Sequence, residues 1–401
     1  MFGDITTNPY HLETIIRSDM TRALRSLVPE MLEEARMAIP EHVKIHGAKN
    51  SVTVTLFPTM VRLVARVANR AMIGAPGCRN EKFLKKQVSV AEEVIPMSQI
   101  LNWFPLFLRV AVWKLFCVTV GAKDGAVRLV TPYVQSRIDY AQQVWSCIAG
   151  LPFSHHVQDN PSTITDLLLR YAPEEDLKDV PKLAVRVVHL NMAAIHTSGI
   201  FITHALFELA RMPSEQVEEI RAEIRAAIES EGGVCDKAAV DKFYKLDSLL
   251  KEIGRFHSLF AVSSSRVTLS EAAITDGTVL PAGSVVGFAP KPLHHNAQMY
   301  PDPYTFDPFR FAKLRTGENA ARDITQSFTH LSNDYIVFGL GKHGCPGRFF
   351  AALMIKVVVS ELLLNYDFAF PAGASQTPKS FAFNIFTVPN PSAKLVFTQR
   401  K

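Results

Sequence analysis

The sequence predicts a mainly α-helical fold with small β-sheets, in a single domain spanning residues 1–401. Long stretches without Gly or Pro carry apolar residues at helical spacing. By contrast, the region 266–290 has β-branched residues punctuated by Gly and Pro, which is typical of short strands and turns. The chain is 48 % hydrophobic and has no low-complexity linker, so it can bury one large core.

Composition excludes several classes of protein. The net charge of +5 is mild, and no dense Lys/Arg run is present, so no nucleic-acid partner is expected. The five cysteines include no C-x-x-C pair, which favours reduced thiols over a disulfide framework or a zinc site. The first twenty residues look like neither a signal peptide nor a membrane-spanning segment.

The most apolar stretch, 102–122, is interrupted by Arg109 and Lys114. These charges argue against a transmembrane helix. We therefore expect either a buried segment or one that dips into a membrane interface, in which case the protein makes peripheral membrane contact.

A central helix is predicted at about 181–211. Gly199 is the only Gly or Pro between Pro181 and Pro213, and the run is apolar nearly all round, so the helix should cross the core over roughly 45 Å. A surface helix should follow, because one stripe carries apolar residues opposite charged ones: Val217, Ile220, Ile224 and Ile228. Another long apolar helix is predicted at 346–364.

The loop before this last helix, 338–347, admits two interpretations. Gly339, Gly341 and Gly344 spell G-x-G-x-x-G, which in dinucleotide-binding proteins cradles a pyrophosphate. That motif opens a βαβαβ unit, whereas the residues after Gly344 contain one helix and Pro-punctuated strands. Dinucleotide binding is therefore not favoured.

The second interpretation is a metal-binding thiolate at Cys345. Pro346 suits the first turn of a helix, so the cysteine should meet free backbone N–H groups and the positive end of the helix dipole. Gly341 and Gly347 would let the backbone approach a large planar ligand closely. A lone cysteine in a turn is ordinarily an inert buried thiol, but the full spacing from Phe338 to Gly347 argues against that here.

That spacing, Phe338-x-x-Gly341-x-His343-x-Cys345-x-Gly347, resembles the haem-binding signature of the cytochromes P450. The resemblance implies a cytochrome P450 fold over essentially the whole chain. It also implies that Cys345 is the axial ligand to the iron of haem b and that Phe338 packs near its sulfur. His343 stands where the family usually has Arg, facing a haem propionate.

Other segments match the family in the same order. Glu252 and Arg255 form an i, i+3 pair in "KEIGR", and Arg310 lies in "FDPFRF". The resemblance implies that these three make a buried salt-bridge triad that fixes the cysteine loop, since a carboxylate between two guanidinium groups can justify burial. Arg266 and Arg17 match arginines that bind haem propionates in the family.

The N-terminal segment "YHLETIIRSDMTRAL" resembles a helix that in the family follows a membrane anchor and an N-terminal sheet. We expect both to be missing, which leaves the fold incomplete at the N-terminus. Family resemblance implies the endoplasmic reticulum membrane, on its cytosolic face. Without a transmembrane anchor, a cytosolic or peripheral location is the alternative.

The central helix carries a polar cluster in "NMAAIHTSG", 191–199. The matching family helix crosses the oxygen side of the haem with a small residue, an acid and a Thr. Thr197 would bond the carbonyl one turn back and make room for O2 and water, and His196 would replace the acid as a proton donor. Alternatively, Thr197 only satisfies its own helix. A metal site from His189, His196 and His204 is not favoured, because none of these stand at i, i+4.

The segments "AAIHTS", "GAPGCRN" and "FDPFRF" look like fungal P450s of secondary metabolism. This implies a haem-thiolate monooxygenase that oxidises an apolar, terpenoid-like molecule with O2 and electrons from NADPH-cytochrome P450 reductase. Lys342, Arg348 and Lys356 would form either a basic face for the reductase or merely solvated charges. The other class left open is a truncated relative without turnover, or a haem-binding protein with another role.

Overall fold

The computed structural model describes residues 10–45, 50–119, 121–146, 163–315, 323–383 and 385–400. Helices dominate these residues, which confirms the predicted class. A π-helix, Tyr10–Asp19, leads into the first α-helix. The α-helices are α1 (Met20–Val43), α2 (Leu56–Met72), α3 (Glu81–Leu101), α4 (Leu106–Thr119), α5 (Ala122–Ser146), α6 (Ile164–Tyr171), α7 (Glu174–Leu177), α8 (Val180–Leu209), α9 (Ser214–Ser230), α10 (Lys237–Asp241), α11 (Tyr244–His257), α12 (Pro290–His294), α13 (Arg310–Lys313) and α14 (Arg348–Asn365).

The strands form small antiparallel sheets at the periphery. One has three strands, with β9 (Lys394–Gln399) between β1 (Ser51–Thr55) and β6 (Tyr366–Ala369). The others are pairs: β2 (Ser263–Val267) with β5 (Val285–Phe288), β3 (Ala272–Ala273) with β4 (Val279–Leu280), and β7 (Phe381–Phe383) with β8 (Phe386–Val388). Strands β2 to β5 occupy the region in which short strands were predicted.

Helix α8 runs through the core close to its predicted bounds. The side chain of Asp179 accepts a hydrogen bond from the backbone N–H of Lys182 at 3.0 Å, which caps the N-terminus, and Pro181 sits in the first turn. Among the described helices, α8 meets the length and apolarity criteria for crossing a membrane, but most of that stretch is buried inside the protein. It is therefore the core helix that the sequence predicts.

Helix α2 packs antiparallel along α8. Near one end, a Cβ at Gly199 would lie 2.9 Å from Cγ2 of Val61, so glycine allows the close approach of the two helices. Near the other end, the Asn191 amide donates a hydrogen bond to the Asn69 side-chain oxygen at 2.8 Å. These two contacts set the register between the helices.

The other apolar predictions have different outcomes. In α9, Val217, Ile220 and Ile224 are buried as predicted, but Ile228 is only half-buried. Within the predicted segment 102–122, none of the side chains described at 102–116 is buried, so the buried alternative is wrong. Trp103 is 82 % exposed and Phe107 is 80 % exposed, because the segment joins α3 to α5 at the surface and no other element among the described residues covers it.

Candidate functional site

The cysteine loop lies between β2 and the start of α14. Cys345 follows a 3₁₀ turn, Gly341–His343, and its backbone N–H donates a hydrogen bond to the Phe338 carbonyl at 2.6 Å. The Arg348 guanidinium donates to the Cys345 carbonyl at 2.9 Å. Gly341 has φ +62°, a left-handed conformation that favours glycine. These contacts hold the thiol at a set place beside the helix N-terminus.

Opposing effects act on the pKa of the Cys345 thiol. Burial raises the pKa of Cys345, whereas the backbone N–H groups of Gly347 and Arg348 and the charge of Arg348 lower it. Burial is the larger effect, so the helix N-terminus acts in the predicted direction without being sufficient alone. A metal cation beside the sulfur would favour the thiolate over the thiol.

A cavity of about 540 Å³ opens directly beside Cys345. The cysteine loop forms one wall. One stripe of α8 forms another, with lining residues at every fourth position: His189, Ala193, Thr197 and Phe201. The π-helix contributes Ile16, and the start of β2 contributes a run of serines, Ser263, Ser264 and Ser265.

The lining of this cavity fits haem. Cys345 supplies a soft sulfur donor at the wall. Beside it, Gly347 has no side chain, and among the described residues a Cβ placed there would approach only Met20, at 4.0 Å. On the wall formed by α8, Ala193 and Ala194 have small side chains that leave space for a flat group. A flat, largely apolar group with a metal that takes a thiolate can therefore be held between the loop and α8.

Two further predicted cofactor residues line the cavity. Phe338 lines it and stacks on Phe201, with ring centroids 6.3 Å apart and planes 7° apart. Phe328 contacts Phe338 edge-on at 5.0 Å. His343 also lines the cavity and is otherwise exposed.

The two predicted arginines differ in their placement. Arg17, in the π-helix, donates a hydrogen bond to the Lys342 carbonyl, so its guanidinium lies against the cysteine loop. Arg266 is exposed on β2, donates to the Ser265 carbonyl at 2.8 Å, and does not line the cavity. Its contact with a propionate stays a prediction.

The two polar neighbours on α8 point in different directions. Thr197 lines the cavity, and its hydroxyl donates to the Ala193 carbonyl at 2.7 Å, the bond that the sequence analysis anticipated. His196 is rotated by about 100° around the helix and does not line the cavity. Its Nε2 lies 3.8 Å from a carboxylate oxygen of Glu92 on α3. This placement does not support the predicted role of His196 as a proton donor.

The three residues expected to form a triad lie together. Helix α11, which carries two of them, contacts the segment that leads into the cysteine loop, since a Cβ on Gly254 would lie 3.1 Å from Cγ2 of Val337. The Glu252 carboxylate accepts two hydrogen bonds from Arg255, both at 2.7 Å, and is 3.2 Å from Nε of Arg310 through each oxygen. The backbone N–H of Asp307 also donates to it, at 3.0 Å. Glu252 and Arg255 are fully buried.

The predicted basic face is largely absent. Lys356 is buried and pairs with Asp247 at 2.6 Å, and Arg348 is bound to the carbonyls of Thr329 and Cys345. Of the three residues named from the sequence, Lys342 is the exposed one. A position three residues either side of a loop cysteine does not reveal which way its side chain turns.

The chain is similar to known proteins along nearly its whole length. The sequence profile of the family described as Cytochrome P450 matches residues 10–397. Cytochrome P450 monooxygenase 71 of Postia placenta is 32 % identical over 402 residues, covering 99 % of this chain and 76 % of that protein. Ent-kaurene oxidase P450-4 of Gibberella fujikuroi is 28 % identical over 389 residues, covering 96 % and 73 %.

Solved structures share the fold. The structure titled "Retinoic acid bound cyanobacterial CYP120A1" superposes with a TM-score of 0.69 at 18 % identity, covering 100 % of this chain and 82 % of that one. A cytochrome P450DA haem domain gives a TM-score of 0.70 at 17 % identity, covering 100 % and 81 %.

Proposed function

The chain belongs to the cytochrome P450 family and is a P450 monooxygenase. From this premise we propose that it holds haem b through Cys345 and oxidises an apolar, terpenoid-like intermediate of fungal secondary metabolism. The observation that carries the proposal is the placement of the Cys345 thiol beside a large cavity, with Thr197 on another wall. The terpenoid class is supported by the similarity to an ent-kaurene oxidase and by the mostly apolar lining.

When bound, the haem iron supplies the activation of O2. Cys345 would hold it, because a thiolate is the soft, electron-rich donor that this chemistry needs. Phe338, packed between Phe201 and Phe328, shields the loop behind the sulfur from water. Arg17 and His343 are the proposed partners of the propionates, with Arg266 as the third.

Thr197 is the proposed group for handling protons. Its hydroxyl hydrogen is used on the Ala193 carbonyl, so its oxygen lone pairs remain to accept a hydrogen bond from a water in the cavity. A water held in this way can pass a proton to the reacting oxygen. His196 has no part in this arrangement, because its ring faces Glu92.

The proposed electron donor is NADPH-cytochrome P450 reductase, docking on the face of the cysteine loop, where Lys342 is exposed. The proposed location is the cytosolic face of the endoplasmic reticulum membrane. The exposed apolar side chains of α4 and the residues before it would contact the bilayer interface: Trp103, Leu106, Phe107 and Val110.

The reduced, CO-treated protein tests the proposal. We expect the red-shifted Soret band of thiolate ligation in the wild type and its loss, together with all oxygenation, in Cys345→Ser, since serine offers no soft donor. Cys235→Ser is the matched control, because Cys235 is also a free, buried cysteine but does not belong to the cysteine loop. Full activity in Cys345→Ser, or no haem in the wild type, would contradict the proposal.

A further inference from the structure

The cavity extends well beyond the cysteine loop along α8. His189, Ala193 and Thr197 stand at i, i+4 and i+8, so they share one face of the helix, and all three line the cavity. Eight residues of α-helix rise by about 12 Å. His189 therefore lies about 12 Å along the helix from the group that handles protons.

The register with α2 shows what surrounds His189. Val61 lies against Gly199, and Asn69 bonds Asn191, so Met72, at the C-terminal end of α2, comes beside the start of the lining stripe. Met72 and Leu190 line the same cavity. Among the described residues at this end, His189 thus places a polar ring on a wall that is otherwise apolar.

The surroundings of the His189 imidazole favour its neutral form. Burial lowers the pKa of His189, and the positive charge of Arg186, about one turn earlier, lowers it further. Arg186 is itself fixed by Asp176 at 2.9 Å. A neutral imidazole has one N–H donor and one acceptor nitrogen, which complements a hydroxyl or carbonyl group.

We propose that His189 hydrogen-bonds a hydroxyl or carbonyl oxygen of the substrate and thereby places a carbon at the opposite end of the skeleton beside Thr197. The substrate class is then an apolar skeleton that already carries an oxygen about 12 Å from the carbon to be oxidised. A hydrocarbon cannot make this hydrogen bond, so the site would favour the oxygenated skeleton by the free energy of one hydrogen bond. An earlier oxidation or hydration must therefore supply the substrate.

This inference rests on the proposed function, and the test uses the haem-loaded protein. The probes are dehydroabietane and its alcohol dehydroabietinol, whose hydroxyl and isopropyl groups stand at opposite ends of one rigid skeleton. Dissociation constants are measured from the Soret shift, and the ratio of the hydrocarbon constant to the alcohol constant is compared between variants. We expect His189→Leu to lower this ratio roughly three- to tenfold, as one hydrogen bond requires.

Two further variants distinguish recognition from packing. His189→Gln keeps a donor and an acceptor and should restore part of the ratio, whereas Met72→Leu changes the same end of the cavity without polar atoms and should leave the ratio unchanged. An unchanged ratio in His189→Leu overturns the inference, and a thiolate CO spectrum in the same samples shows that the proposed function still stands. Absence of that spectrum in the wild type overturns both.

Discussion

Replacing Glu252 with Ala should destabilise the protein by removing the carboxylate between Arg255 and Arg310. Glu252 and Arg255 are fully buried, and the Arg310 side chain is 12 % exposed. After truncation, Arg255 keeps hydrogen bonds to the carbonyls of His294 and Pro303, both at 2.8 Å, but no anion remains to offset its buried charge. The expected loss is roughly 3 to 5 kcal/mol, the usual cost of breaking a buried ion pair from one side.

That loss is a large share of the free energy of unfolding of a typical protein, which is roughly 5 to 15 kcal/mol. The backbone N–H of Asp307 also loses its acceptor, so the segment that carries Arg310 should loosen. Because the cluster lies next to the cysteine loop, we expect a low haem-to-protein ratio as well as a lower midpoint in urea. Both are measured on purified protein, the first from the Soret and protein absorbances.

Glu218→Ala is the matched control. Glu218 also contacts several guanidinium groups, those of Arg221, Arg225 and Arg400, but its side chain is 45 % exposed. Screening by water should keep its cost below about 1 kcal/mol. If Glu252→Ala were as stable and as rich in haem as Glu218→Ala, the cluster would be a replaceable contact and the reasoning would be refuted.

Two more predictions concern the helix over the cavity and the exposed segment before α5. Thr197→Ala should fold normally, since Ala is the better helix former, but should give less product and more peroxide per NADPH consumed. His196→Ala should leave the ratio of product to NADPH unchanged, because its ring faces Glu92. Equal ratios in the wild type and Thr197→Ala would mean that Thr197 has only a structural role. The double variant Trp103→Ser/Phe107→Ser should bind phosphatidylcholine vesicles at least about tenfold more weakly in a flotation assay. The control is Leu269→Ser, at a residue that is 95 % exposed outside this segment, and it should bind as the wild type does. Equal losses in both variants would contradict the assignment of α4 as the membrane contact.

The parts that the sequence determines are those written in short-range spacing. The positions from Phe338 to Gly347 specify the loop because their backbone contacts are local: the turn Gly341–His343 lets the Cys345 N–H reach the Phe338 carbonyl, seven residues earlier. The bounds of α8 follow from Pro181 and an uninterrupted apolar run. The Thr197 bond to Ala193 is likewise local, since it joins residues one helical turn apart.

Other features depend on neighbours distant in the sequence, and only the tertiary structure decided them. Periodicity shows which residues share a face of α8, but the packing of α2 and α3 determines that His189 meets the cavity while His196 meets Glu92. Lys356 and Lys342 have the same charge, yet Lys356 is buried because it pairs with the carboxylate of Asp247, whereas Lys342 is exposed. The apolar segment before α5 is exposed because none of the described elements packs over it. Hydropathy alone is the same for a buried helix and for one that meets a membrane.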